Sequence, residues 1–137
     1  MPVVVTVRAT DQLNPTPAGQ PQRLDVLIFQ LRSPAAFRDT QLTDLYPSLD
    51  AARTALGPDL VGVQKLQIAP GGEQTLELVL AEGAAYVGAV GAFEQFGQAH
   101  WKDDIDLKEA DASGQTLEHG GRLLIALDAL NLALSIE

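Results

Sequence analysis

Leu24-Asp25-Val26-Leu27-Ile28-Phe29-Gln30-Leu31 is the stretch on which the fold turns. A strand with one wet face alternates apolar and polar residues, but this one is apolar on both faces except at Asp25 and Gln30. It is therefore expected to be a central strand covered on both sides. Upstream, Val3, Val5 and Val7 alternate with Val4, Thr6 and Arg8, the period of two that marks a second strand. Between the two, Asp11 to Gln22 holds Asn14-Pro15, Pro17, Gly19 and Pro21. Proline removes ladder donors and fixes φ, so this segment reads as an ordered, solvent-facing loop.

Downstream of Leu31 the period changes. Ser33-Pro34 is a helix start with Pro34 at the first helical position, and Ser33 reads as its cap. Leu42, Leu45, Tyr46 and Leu49 form a helical stripe that Pro47 interrupts. Two short helices are expected within an insert at about 34–56, one ending at Tyr46 and one from Pro47 to Leu56, stopped by Gly57-Pro58. The insert should lie across one sheet face, with the stripe packed on it.

Strands then resume at Leu60 to Ile68, and Ala69-Pro70-Gly71-Gly72 reads as a hairpin-type connection to a strand carrying Leu76, Leu78 and Leu80. Tyr86 to Phe93 is a small-residue strand in which Gly88 and Gly91 let another element come close. Trp101 to Leu107 is a weaker strand, and Lys108 to Gly121 a polar loop. Leu123, Ile125 and Leu127, then Leu130, Leu132, Leu134 and Ile136, alternate around a turn at Asp128-Ala129. The sum is a mainly β chain, a two-sheet β-sandwich of about eight strands with a short helical insert. With 137 residues and no linker or repeat, 1–137 is expected to be a single domain.

Charge and composition exclude several functions. Nine basic residues against 18 acidic ones leave a net charge of −9 with no basic stripe, which disfavours nucleic acid. Cysteine is absent, so disulfides, thiolate nucleophiles and Cys-rich zinc sites are absent too. No apolar run is long enough to cross a bilayer.

Catalytic candidates are few. His100 and His119 are the two imidazoles; either could pair with Asp103, Asp104 or Asp106 at a metal, against the reading that the aspartates cap a turn and His100 is a surface residue. Asp104, Asp106, Glu109 and Asp111 crowd one loop, without the glycine and glutamate in register that a hand-type calcium loop needs. Ser33, Ser48, Ser113 and Ser135 lack a nucleophile elbow. Gly71-Gly72 and Gly120-Gly121 are turn glycines rather than a phosphate cradle. Trp101 reads as a core plug more than a ligand platform. No cofactor and no catalytic residue is assigned.

The order of segments carries more information. Gln12-Leu13-Asn14-Pro15 closes the first strand, followed by Val26 to Leu31, Ala36-Phe37, Asp44-Leu45-Tyr46 and Leu56-Gly57-Pro58-Asp59-Leu60-Val61. Then come Leu66-Gln67-Ile68-Ala69-Pro70-Gly71, Tyr86-Val87-Gly88-Ala89-Val90, Ala92-Phe93 and Trp101-Lys102. In this order, from about Thr6 to Leu107, the chain resembles the TssJ (SciN/VasD) family of type VI secretion lipoproteins.

The resemblance implies a transthyretin-like sandwich with added helices and no enzymatic role. It implies an acylated N-terminal cysteine anchoring the protein at the periplasmic face of the outer membrane. Met1-Pro2-Val3 shows neither that cysteine nor a signal core, so the anchor is expected in a longer form. It further implies binding to the periplasmic C-terminal region of TssM, and through it to TssL, by a chain that is monomeric alone. The family's contact loop maps here onto Leu13, Asn14, Pro15, Thr16, Pro17, Ala18 and Gln20, with Leu13 as an apolar anchor. Prolines at 15, 17 and 21 would restrict that loop before binding and lower its ordering cost. The competing readings are a rigid connector that touches nothing and, for the whole chain, a transthyretin-like small-ligand carrier or hydrolase. In the last case His100 with Asp103 or Asp104 would be the acid–base pair. A third is a module that pairs through an exposed edge strand.

Overall fold

The computed structural model describes residues 2–137. Its strands are β1 (Val3–Ala9), β2 (Leu24–Leu31), β3 (Leu60–Ile68), β4 (Glu73–Leu78), β5 (Tyr86–Gly91), β6 (Lys102–Asp106), β7 (Arg122–Asp128) and β8 (Asn131–Ile136). They form two four-stranded sheets, ordered β4-β1-β7-β8 and β3-β2-β5-β6. All neighbours are antiparallel except β1 and β7, which run parallel.

The pleat of β2 divides the core in two. Leu24, Val26 and Ile28 point between the sheets, where they meet Val3, Val5 and Val7 of β1 and Leu123, Ile125 and Leu127 of β7. Leu27, Phe29 and Leu31 point the other way, into a second cluster under the helices with Phe37, Leu42, Leu45 and Leu56. The two-sided apolar pattern is thus the mark of a strand between two cores. Its two polar exceptions are both bonded. Gln30, 7% exposed, donates to the Val79 carbonyl at 3.0 Å and accepts from the Ala81 N–H at 2.7 Å. Asp25 accepts from the Tyr46 hydroxyl and from Gln67 Nε2.

The helical insert is three short pieces rather than two: α1 (Ala35–Arg38), α2 (Leu42–Leu45) and α3 (Leu49–Leu56). Pro34 is the N-cap of α1 and not its first helical residue, while Ser33 Oγ accepts from the Ala35 N–H at 3.3 Å. The extra break falls at Asp39–Gln41, where the carbonyls that end α1 turn to a side chain from β6. α2 then restarts with Asp44 Oδ2 accepting from the Gln41 N–H at 2.9 Å, and α3 with Ser48 Oγ accepting from Ala51 at 3.1 Å. The Pro47-Ser48 break resets the helical phase. Leu42 and Leu45 are buried as expected, but Leu49 is 36% exposed, and α3 buries Ala52 and Leu56 in its place.

A second difference concerns Ala69 to Gly72. The tight turn forms, with the Gly72 N–H on the Ala69 carbonyl at 2.9 Å. Yet β3 and β4 do not pair; the turn carries the chain from one sheet to the other. Each strand has a longer ladder elsewhere, β3 on β2 from Leu24 to Leu31 and β4 on β1 from Val3 to Arg8. Gly88 and Gly91 do mark close approach: a Cβ at Gly88 would lie 2.8 Å from the Phe37 ring, and one at Gly91 2.7 Å from the Phe93 ring.

The strand directions sort the connections into two ends. The β1–β2 loop, the β3–β4 turn, the β5–β6 loop and the β7–β8 turn share one end, where Ala9 stands beside Leu127 and Leu24 beside Ile68. The start of β1 and the last residues of β8 lie at the other, where Val3 faces Leu78 and Leu123 faces Ile136.

Candidate functional site

The four connections at the first end are laced into one surface by backbone groups that no ladder uses. Ala9 and Thr10 reach Gly72 and Leu127, and Gly71 returns to the Thr10 carbonyl at 3.0 Å. The centre is Asn14, at φ 48°, a left-handed conformation that asparagine tolerates better than most residues. Its N–H donates to the Ala129 carbonyl at 2.9 Å, its Nδ2 donates to the Arg23 carbonyl at 2.8 Å, and its Oδ1 accepts from the Glu94 N–H at 3.0 Å. One residue therefore ties the β1–β2 loop to the β5–β6 loop through its side chain and to the β7–β8 turn through its backbone. Gln95 adds a second tie, donating to the Pro15 carbonyl at 2.8 Å.

These ties divide the seven expected contact residues. Leu13 has no exposed surface and belongs to the core between the sheets, so it does not offer the apolar anchor expected of it. Its N–H and carbonyl close the neck of the loop on Thr10 and Gln22, which draws its side chain inward. Asn14 is 4% exposed and spends its amide on the framework. Pro15 and Thr16 are half-buried, and Pro17, Ala18 and Gln20 form the exposed tip. The tip is a closed turn: the Thr16 N–H donates to Gln20 at 2.8 Å, the Gly19 N–H to Thr16 at 2.8 Å, and Gly19 sits at φ 88°. The loop is held from within by hydrogen bonds as well as by its prolines.

The catalytic candidates do not converge. His100 and His119 are both exposed. His100 Nδ1 stands 3.3 Å from Asn131 Oδ1, and its backbone pairs with Leu130 and Leu132. Asp103 turns to the edge of β8, accepting from the Leu134 N–H at 2.9 Å. Asp104 forms a two-pronged pair with Arg38, at 2.7 and 3.0 Å. The expected acid–base pair is thus two carboxylates committed to structure and an imidazole on a different partner. Asp106 and Asp111 cap turns of their own loop, and the Ser113 hydroxyl holds the Asp111 carboxyl below its ordinary range. No group of three or more potential metal ligands occurs among the described residues.

Two features escaped the sequence reading. The first is Lys102, whose Nζ donates to the carbonyls of Phe37, Arg38 and Thr40 at 3.0, 2.7 and 2.7 Å. This is the side chain that ends α1, a cation at a helix C-terminus. Burial pushes its pKa down, opposed by Asp39, Asp104 and Asp44. The second is a concavity of about 400 Å³ beside it, lined by Leu42, Phe96, Gly97, Ala99, Trp101 and Lys102. Trp101 is only half-buried and touches both cores, so it is a seam residue rather than a plug. The available signal was Phe96, an isolated aromatic in the polar run Glu94-Gln95-Phe96-Gly97-Gln98.

The family model T6SS-SciN, described as type VI secretion lipoprotein, VasD, EvfM, TssJ, matches residues 1–129. No curated protein sequence matches the chain. Among solved structures the chain is similar to the T6SS lipoprotein TssJ1 from Pseudomonas aeruginosa, at 27% identity and a TM-score of 0.85, covering 100% of this chain and 96% of that one. It shares its fold with Serratia marcescens Lip, a membrane bound component of the type VI secretion system, at 20% identity, TM-score 0.79 and coverages of 99% and 96%. It shares it too with a chain in the structure described as T6SS protein TssM C-terminal domain (869-1107) from EAEC, at 21%, 0.70, 98% and 97%.

Proposed function

Since the chain belongs to the type VI secretion lipoprotein family of TssJ and VasD, we propose that it is a non-catalytic scaffold subunit that binds the periplasmic C-terminal region of TssM. TssL would be reached through TssM. The observation that carries the reading is the tip Pro17–Gln20, exposed yet closed through Thr16 and braced by Asn14 and Gln95. A surface ordered before contact loses little conformational entropy on binding, which suits a permanent joint better than a transient one. The contact residues in this reading are Pro15, Thr16, Pro17, Ala18 and Gln20, with Leu13 and Asn14 as the posts behind them.

The placement of the ends supports the same reading. β1 starts at one end of the sandwich and the tip stands at the other. A lipid tether ahead of β1 would leave the tip facing away from the membrane, into the periplasm. Residues 1–137 would act as one domain. Calorimetry of the chain with the periplasmic C-terminal fragment of TssM tests the proposal, alongside a variant carrying Pro17→Asp and Gln20→Arg. Binding that is lost in the variant is the expected result. Equal binding by both would move the contact off the tip, and no binding by either would remove the proposal.

A further inference from the structure

We propose that the flank formed by β3 and β4 is where two copies of the chain pair, β3 of each on β4 of the other. The two flanks of the sandwich differ. Where β6 and β8 meet, outward N–H groups of β8 are taken, Leu132 by the His100 carbonyl at 3.0 Å and Leu134 by Asp103 Oδ2 at 2.9 Å. The opposite flank is bare. The Thr10 N–H bonds to β7, so by strand alternation Val3, Val5 and Val7 turn to β4, and Glu73, Thr75 and Glu77 face outward. The Asp25 carbonyl takes the Ala92 N–H beside β5, so Val26 and Ile28 turn to β3, and Val63, Lys65 and Gln67 face outward. Among the described residues, the Gln67 carbonyl alone of these outward groups has a partner, the Gln74 amide. Edges of this kind are templates for another strand.

Height and charge select a second copy as the occupant. β3 and β4 run in opposite directions and level with each other. Gln74 reaches the Gln67 carbonyl near one end, and near the other Gln30, which pairs with Gly62, donates to the Val79 carbonyl. A twofold axis along the strands therefore lays β3 of each copy antiparallel on β4 of the other, with both pairs formed at once. It also brings the helix-side face of β3 and the outer face of β4 to the same side. Of the two registers that this height and the outward groups allow, one sets Lys65 against Glu77 of the second copy, Gln67 against Thr75 and Val63 against Val79. That register answers what the single chain leaves open. Glu77 is exposed, faces Val4 across the ladder and has no ion pair among the described residues. Lys65 is exposed and reaches Asp25 only at 3.6 Å. Val79 is 76% exposed. The other twofold, perpendicular to the sheets, lays β4 on its own copy; centred on Thr75, it sets Glu73 against Glu77, like charges directly opposed.

Sedimentation velocity from micromolar to millimolar chain, at about 0.15 M salt to screen the net charge, tests the proposal. The expected result is a dimer whose Kd rises about tenfold or more in Lys65→Glu and in Glu77→Lys, since each change breaks two symmetric pairs. The two changes together exchange the charges and restore the dimer. Within one chain these residues lie on opposite outer faces of the sandwich, so restoration reports a contact between copies. Hydrogen exchange gives the backbone readout: the Val63, Lys65, Thr75 and Glu77 amides gain protection as the dimer forms, while unchanged core amides check the fold of each variant. A chain that stays monomeric overturns the proposal. So does a dimer that the combined variant fails to restore, or one that leaves those four amides unprotected. Protection that comes only with the TssM fragment, the chain itself staying monomeric, would assign the edge to that partner and overturn the self-pairing.

Discussion

Gly88 lies flat beneath the ring of Phe37, so close that a Cβ on it would sit 2.8 Å from Cζ and 3.0 Å from both Cε atoms. The contact fastens α1 to the middle of β5 and sets how near the helical layer comes to the sheet. Gly88→Ala must displace the ring, which is fully buried against Phe29 and Leu31. A loss of about 1–3 kcal/mol is expected in urea unfolding. An unchanged midpoint would mean that the helices lift off the sheet without cost.

Lys102 is expected to matter more for stability than any exposed cation. Lys102→Met keeps the length of the stem but takes the ammonium from the Arg38 and Thr40 carbonyls and from the Phe37 carbonyl, which keeps the Thr40 N–H and hydroxyl. A loss of about 2–4 kcal/mol follows, because bonds to a charged group exceed neutral ones and the acceptors are partly shielded from water. Hydrogen exchange would show the loss concentrated in α1 and the turn after it.

At Asn14, backbone and side chain can be separated. Asn14→Ala loses both amide bonds and places alanine at φ 48°, for an expected cost of about 3 kcal/mol. Asn14→Gly loses the same bonds but tolerates the conformation, so about 1 kcal/mol of that should return. Thermal melts of the three proteins give the comparison. Equal losses would show that the left-handed backbone is not a constraint.

The pair between Asp25 and Tyr46 makes stability depend on pH at both ends. The Tyr46 hydroxyl holds the Asp25 carboxyl below its ordinary value, and Asp25 in turn raises the phenol. A lowered carboxylate pKa stabilises the fold fully above the unfolded value near 4, and the gain is lost as pH falls through the folded value. A raised phenol pKa stabilises it fully below the unfolded value near 10, and that gain is lost as pH climbs through the folded one. The stability difference between the protein and Tyr46→Phe should therefore be flat across neutral pH and shrink on both flanks. A difference that is flat from pH 3 to 11 would refute the coupling.

Much of the fold is readable along the chain because strand burial writes itself in a period of two. Val3, Val5 and Val7 mark a single buried face, and Leu24 to Leu31 a doubly buried strand, which together give two sheets and a covering layer. What could not be read depends on partners far away in sequence. The break after α1 is made by Lys102, and the crossing at Ala69–Gly72 follows from what β1 and β2 offer as neighbours. The loop residues show the same limit. Composition marks Asp11 to Gln22 as an ordered loop, but only the fold separates buried Leu13 and Asn14 from the exposed tip.

The parallel pairing of β1 with β7 joins Val4–Ala9 to Arg122–Leu127. The first strand is thus an interior strand of its sheet, and one of its neighbours is made almost last. A chain emerging from a ribosome or a translocation pore can zip β1 to β4 early, but it keeps one flank of β1 bare until residue 127 is free. That delay is long, since such distant pairing is slow to nucleate, and a bare flank is a template for other chains. For this molecule the bare edge is thus a property of the unfinished chain, and it disappears once Arg122–Leu127 closes on β1.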